Sequence, residues 1–269
     1  MSDSRDAEAR LFLLDGRVLY LGSIGINTDL HAHHAVQLAI ALLGRMRLRT
    51  DPTKDWAVCE AAVVASNQRH QLEADCEVLA LFYFDPQSVE AARLIGPPSS
   101  RMQRGLTIVE PPQDAIWRSM LLDCLSGPPD AQKAVRAWRA VLDDLGAEPH
   151  ATEQLDPRVT QALEILAELS DPRISTADLA SRVGLSPSRF SHVFREHVGL
   201  PLRRYLVWRR LQDAVLLLAE QRTLTEVAHA AGFADSAHFS RAFRRMFGVP
   251  PSSVVKYSRI VQARGVRIW

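Results

Sequence analysis

Residues 223–251 constrain the fold of this chain more than any other stretch. Val227, Ala228 and Ala231 form a small apolar stripe at helical spacing, with Thr225 before them as the expected N-cap. Gly232 supplies the left-handed residue that ends a helix, and Phe233 plugs the angle to the next one. Asp235 or Ser236 caps that second helix, where Phe239, Phe243 and Phe247 recur every four residues. A short helix, a glycine turn and a second helix with an aromatic inner stripe and a basic outer face describe a helix-turn-helix.

The pattern occurs twice. At an offset of 48, Leu179 falls on Val227, Ala180 on Ala228, Gly184 on Gly232 and Leu185 on Phe233. After one inserted residue, Phe190 falls on Phe239, Ser191 on Ser240, Phe194 on Phe243, Arg195 on Arg244, Gly199 on Gly248 and Pro201 on Pro250. An internal repeat of inner residues makes a chance match improbable. An amphipathic helix at Pro157–Leu169 precedes the first copy. Arg203–Gln221 joins the copies as one helix of roughly 18 residues, about 27 Å long. Two recognition helices in successive major grooves sit about 34 Å apart, a spacing that such a connector supplies.

Charge divides along the same line. From Pro157 to Trp269 there are 17 Arg+Lys against 9 Asp+Glu, a balance of +8, while the rest of the chain carries −7. A basic half joined to an acidic half implies that one end meets a polyanion. Cys59, Cys76 and Cys124 have no short spacing, which points to reduced buried thiols in the cytosol rather than a disulfide framework. The polar N-terminus and the lack of a long apolar run predict a cytoplasmic protein with no signal peptide and no membrane partner.

The first hundred residues read as short strands: 10–14, 18–23, 36–42, 45–49, 56–65 and 77–84. Asp15-Gly16 is a hairpin signal, and Gly44 a break. His31, His33 and His34 lie just before an apolar strand, and His70 follows. The spacing Gly25-x5-His31-x-His33-x3-Gln37-x6-Gly44 resembles the first motif of the cupins, double-sheet β-barrels, with Gln37 where cupins usually carry Glu. Residues 63–70 resemble a degraded second motif ending on His70. That resemblance implies a small barrel, and a metal held by His31, His33 and His70 with Gln37 beside them. Three imidazoles suit zinc, nickel, copper or iron. A metal-free small-molecule pocket rimmed by the same histidines fits the sequence as well.

A short helix is expected at 88–94, a break at 96–100, and a strand or connector at 106–109. Asp114–Leu125 and Asp130–Leu145 read as an antiparallel helical hairpin, with Ile116, Trp117, Met120, Leu121 and Cys124 on one face and Val135, Trp138, Leu142 and Leu145 on the other helix's seam. The hairpin covers the barrel, or it pairs with its copy in a homodimer, a role to which its two tryptophans are suited.

The run from Gly232 to Pro251 carries the most specific likeness: Gly232-Phe233-x-Asp235-Ser236, then Phe239-Ser240-Arg241-x-Phe243-Arg244-Arg245, then Phe247-Gly248-Val249-x-Pro251. It resembles the signature of the AraC/XylS family of bacterial transcription regulators, over Leu155 to about Ser258. Val254 and Val255 depart from the family's aromatic and basic pair. The resemblance implies an α+β protein of two domains: a cupin-like sensor over 1–110, a dimerising hairpin over 111–146, a linker over 147–156 and an all-α double helix-turn-helix over 157–258; a basic tail over 259–269 lies beyond the family pattern. It implies double-stranded DNA, a small-molecule or metal effector and RNA polymerase as partners. The alternative is a cupin-type metal enzyme fused to a DNA-binding part. Ser188, Ser191, His192 and Arg195 of the first reading helix, and Ser236, His238, Ser240, Arg241, Arg244 and Arg245 of the second, point away from the aromatic stripe. Arg241 is the expected base reader. Arg195, Arg244 and Arg245 suit phosphates, where half or more of such contacts fall.

Overall fold

The computed structural model describes residues 9–14, 17–22, 26–95, 105–146, 155–169, 174–220 and 222–263. The Asp15-Gly16 turn, Gly25, the break at 96–100, most of the 147–156 linker and the end of the tail lie outside them.

Six strands come first: β1 (Ala9–Leu14), β2 (Arg17–Gly22), β3 (Val36–Arg49), β4 (Ala57–Cys59), β5 (Ala61–Val64) and β6 (Gln71–Phe84). Helix α1 (Val89–Ile95) and strand β7 (Leu106–Val109) lead to the hairpin α2 (Ile116–Ser126) and α3 (Ala131–Leu145). The helical half holds α4 (Pro157–Glu168), α5 (Thr176–Arg182), α6 (Pro187–Val198), α7 (Leu202–Leu218), α8 (Leu224–Ala230), α9 (Ser236–Phe247) and α10 (Pro251–Tyr257). A last strand, β8 (Ser258–Ala263), follows α10 directly.

The strands form one sheet in the order β7-β5-β3-β6-β2-β1-β8, with β4 also on β3. The expected closed barrel is not what forms: among the described residues the sheet is open. The edge of β1 that closure would need is taken by β8, which pairs with it in parallel from Ala9↔Ser258 to Leu14↔Ala263. The described part of the basic tail, 259–263, which has no sequence pattern of its own, is therefore sheet. Gly44 does not end a strand either. It sits inside β3 at φ +108, where the register against β6 shifts, a bulge that glycine tolerates.

Both faces of the sheet are covered, which is why its strands read as nearly continuous apolar runs. On one face Phe12, Leu14, Leu38, Ile40, Phe82 and Phe84 pack against α2 and α3. Trp138 meets Phe82 and Phe84 at ring distances of 5.0 and 4.8 Å. Trp117 and Trp138 are fully buried there, so the tryptophans serve the sheet and cannot anchor a second chain. Ile116, expected on the same face, is 73% exposed instead. On the other face Leu11 and Leu13 share a core with α7, α8 and α9.

Helix α7 belongs to two cores. Leu202 and Leu206 pack with Phe190 and Phe194 of the first unit. Leu211, Ala214, Val215 and Leu218 pack with Val227, Phe239 and Phe243 of the second. At 17 residues it runs about 25 Å.

Trp138→Ala should cost about 3–5 kcal/mol, the usual price of deleting a buried aromatic, read as a lowered urea midpoint. Gly184, in the turn between α5 and α6, and Gly248, at the end of α9, both sit in the left-handed region, at φ +69 and +74. Gly184→Ala meets nothing within 4 Å and should cost only the left-handed strain of about 1–2 kcal/mol. Gly248→Ala places its Cβ 2.6 Å from Thr28 Cβ and should be clearly the more destabilising of the two.

Candidate nucleic-acid interface and effector site

The two reading helices are built alike. Ser186 caps α6 by accepting from Arg189 N, and Asp235 caps α9 by accepting from His238 N at 2.6 Å. Each ends on a left-handed glycine, Gly199 or Gly248. The preceding helix α8 is capped by Thr223, not Thr225, in a capping box with Glu226. That arrangement satisfies two otherwise unpaired backbone donors. Phe190, Phe194, Phe239 and Phe243 are buried, which turns the opposite faces outward.

On those faces Ser188, Ser191, His192 and Arg195 are exposed, as are His238, Arg241, Arg244 and Arg245. Ser236 and Ser240 are half-buried. Some of these side chains have local partners. The Ser191 hydroxyl donates to Pro187 O at 2.8 Å. His192 stands 3.8 Å from Glu196, and His238 lies edge-on to Phe233 at 5.4 Å. Arg244 differs from the rest: its Nε donates to Asp29 Oδ2 at 2.6 Å, across the junction with the sheet. Sequence spacing could not reveal that pair, whose members stand 215 positions apart.

The histidines come together as their spacing suggests. His31 and His70 pair through both backbone bonds, N to O at 3.0 Å and 2.9 Å. The ligating atoms of His31, His33 and His70 lie within 4.8 Å of one another, all three side chains buried. Each Nδ1 is set against a backbone carbonyl: His31 on Asp29, His33 on Ala35 and His70 on Gln68. Donation from Nδ1 leaves Nε2 as the bare nitrogen in His31 and His70, while a neutral His33 has one N–H between two acceptors, Ala35 O and the Gln37 amide oxygen. His33 Nε2 lies 2.8 Å from the Gln37 amide, and His70 Nε2 has no hydrogen-bond partner. Burial, the largest cause, pushes His31 down to about 4 and lowers His33 and His70 as well, so all three imidazoles are neutral at pH 7. His34 is separate. It faces Tyr205 and Trp208 of α7 at 5.6 and 6.2 Å.

Beside this junction lies a cavity of about 470 Å³ between the sheet and α7, α9 and α10. Leu13, Tyr20, Leu81, Trp208, Val215 and Phe247 give it apolar walls. Arg17 and Arg209 bring cations to its lining, and Asp85 and Asp213 bring carboxylates. Burial raises the Tyr20 hydroxyl to about 12 and that of Tyr83, also on its wall, higher still, so both stay protonated donors. The sequence marks some of these residues as helix faces, but not as one cavity. The one available signal was Arg209 and Asp213 four apart on the apolar connector.

Comparison with known proteins bears on both halves. The family description "Helix-turn-helix domain" matches residues 179–257, and "Winged helix-turn-helix DNA-binding" matches 155–196. The chain is 36% identical over 100 residues to the arabinose operon regulatory protein of Escherichia coli, 36% of this chain and 34% of that protein. It is 35% identical over 103 residues to the transcriptional activator RhaS of Escherichia fergusonii, 38% of this chain and 37% of that protein. The match thus spans about a third of these relatives' length, and each is named as a regulator rather than an enzyme. Among solved structures, apo ToxT K231A of Vibrio cholerae superposes with a TM-score of 0.59 at 13% identity, covering 90% of this chain and 97% of that one. ToxT with an unsaturated fatty acid bound gives 0.55, also at 13%, covering 90% and 95%. This is a likeness of fold, and it takes in the sheet as well as the helices. The C-terminal part of the chain is therefore a helix-turn-helix domain, similar in sequence to parts of the arabinose operon regulatory protein and RhaS.

Proposed function

We propose that the chain is a sequence-specific regulator of transcription that reads double-stranded DNA with α6 and α9 and answers to a small molecule held between the sheet and α7. The observation that carries this reading is the pair of reading helices: the same buried aromatic stripe, the same glycine ends and a basic outer face on both. The rigid α7 fixes their separation. Arg241 is the base reader, and Arg195 and Arg245 hold phosphates. The cavity's apolar walls with arginines among them suit an amphiphile bearing a carboxylate. ToxT, whose fold this chain resembles, is known with an unsaturated fatty acid bound. A cytoplasmic homodimer through the outer surface of α2 and α3, where Ile116 is exposed, and contact with RNA polymerase complete the proposal.

Selection of binding sites from random duplex DNA should recover two elements about one helical turn apart; a single short element would overturn the two-headed reading. Arg241→Ala should cost about 1–3 kcal/mol and relax preference at one base, whereas Arg245→Ala should weaken all sequences alike and lower the salt slope by about 1. A cavity ligand at 100 times its Kd should stabilise the protein by about 2.7 kcal/mol. Thermal shifts with a series of long-chain fatty acids test this, with Arg209→Ala as the control; a melting temperature unmoved by every member excludes that class.

A further inference from the structure

The histidine cluster and the second reading helix meet in one place. The segment 28–31 that carries His31 also contacts the end of α9. Asp29 N donates to Gly248 O at 2.9 Å, and Asp29 Oδ2 accepts from Arg244 Nε at 2.6 Å. A Cβ on Gly248 would lie 2.6 Å from Thr28 Cβ and 2.7 Å from His31 Nδ1, so the two backbones are in direct contact. His31 therefore turns its Nδ1 edge toward α9 and its Nε2 edge toward His33 and His70.

We propose that His31, His33 and His70 bind a divalent transition ion of the zinc class, and that its binding withdraws Asp29 from Arg244 and frees that arginine for a DNA phosphate. Three features support the site. Its imidazoles are buried, each has Nδ1 fixed by a backbone carbonyl as metal-bound histidines usually do, and the His70 Nε2 is an unpartnered buried atom aimed into the cluster. The Gln37 amide oxygen, 2.8 Å from His33 Nε2, stands where a fourth donor is needed. Bonds of about 2.0–2.1 Å require the ligating atoms to stand closer than their present spread of up to 4.8 Å. The widest ring separation, 5.6 Å, is between His31 and His33. Closing it moves His31 toward the cluster, hence away from Gly248, and takes Asp29 with it. Coupling between two sites is reciprocal, so DNA that engages Arg244 tightens the metal in turn.

The DNA consequence rests on the proposed function; the metal site does not. Full-length protein stripped with chelator is titrated with Zn²⁺ and Co²⁺ alone. One ion per chain and the visible bands of four-coordinate Co²⁺ are expected, both lost in His70→Gln and in His31→Asn, with circular dichroism confirming that the variants fold. Hydrogen exchange at 244–248 should rise with Zn²⁺, which reads the contact without any DNA. On a selected duplex, Zn²⁺ should raise affinity about tenfold, within the usual range of coupling. Asp29→Asn should give the zinc-loaded affinity without zinc and abolish the zinc effect. Substoichiometric Zn²⁺ overturns the site. A zinc effect on affinity or exchange that persists undiminished in Asp29→Asn overturns the coupling. Failure to bind any duplex, with zinc stoichiometry and exchange as expected, counts against the DNA-reading proposal alone.

Discussion

Everything in the helical half depends on how α7 is buried. One end lies in the core of the first unit and the other in the core of the second. Each unit completes its core with residues of α7. A short helix-turn-helix leaves one side of its aromatic stripe uncovered, and the shared connector covers both. The geometry between the two reading helices is thus set by packing rather than by a loop. A connector that rigid also transmits: Trp208 touches His34 of the sheet and Phe247 of α9.

The same logic extends to the sheet. Leu11 and Leu13 point into the core of the second unit while Phe12 and Leu14 point into the hairpin's. Strand β1 alternates between two partners, and its six residues are all buried. The second unit is therefore seated on the sheet by apolar surface, with Asp29–Arg244 as an exposed ionic contact at the margin. Exposed pairs of this kind contribute little stability. What the pair does is tie the outer face of α9 to the segment that carries His31.

How much of this a sequence can disclose follows from range. The helix-turn-helix units were legible because their determinants are local: a glycine that must be left-handed, phenylalanines four apart, a cap three residues from its donor. The repeat doubled that information. The histidines were legible too, since His31 and His33 stand two apart and His70 ends the paired segment. What stayed hidden was what distance in the chain hides. Gly44 looked like a strand end because a bulge and a turn ask the same of one residue. The tryptophans looked like interface anchors because apolar seams do not say what covers them. The cavity, the Asp29–Arg244 pair and the covering of β1 by β8 arise only when remote segments dock.

That last pairing has a consequence for how the protein is made. During synthesis β1 emerges early, and β8 trails it by nearly the whole described chain. Until then the edge of β1 is an apolar strand with unpaired backbone groups, the kind of surface that recruits other strands. Its parallel partner is the segment that directly follows α10. The nascent sheet thus stays unfinished at one margin until the helices between β1 and β8 have been made.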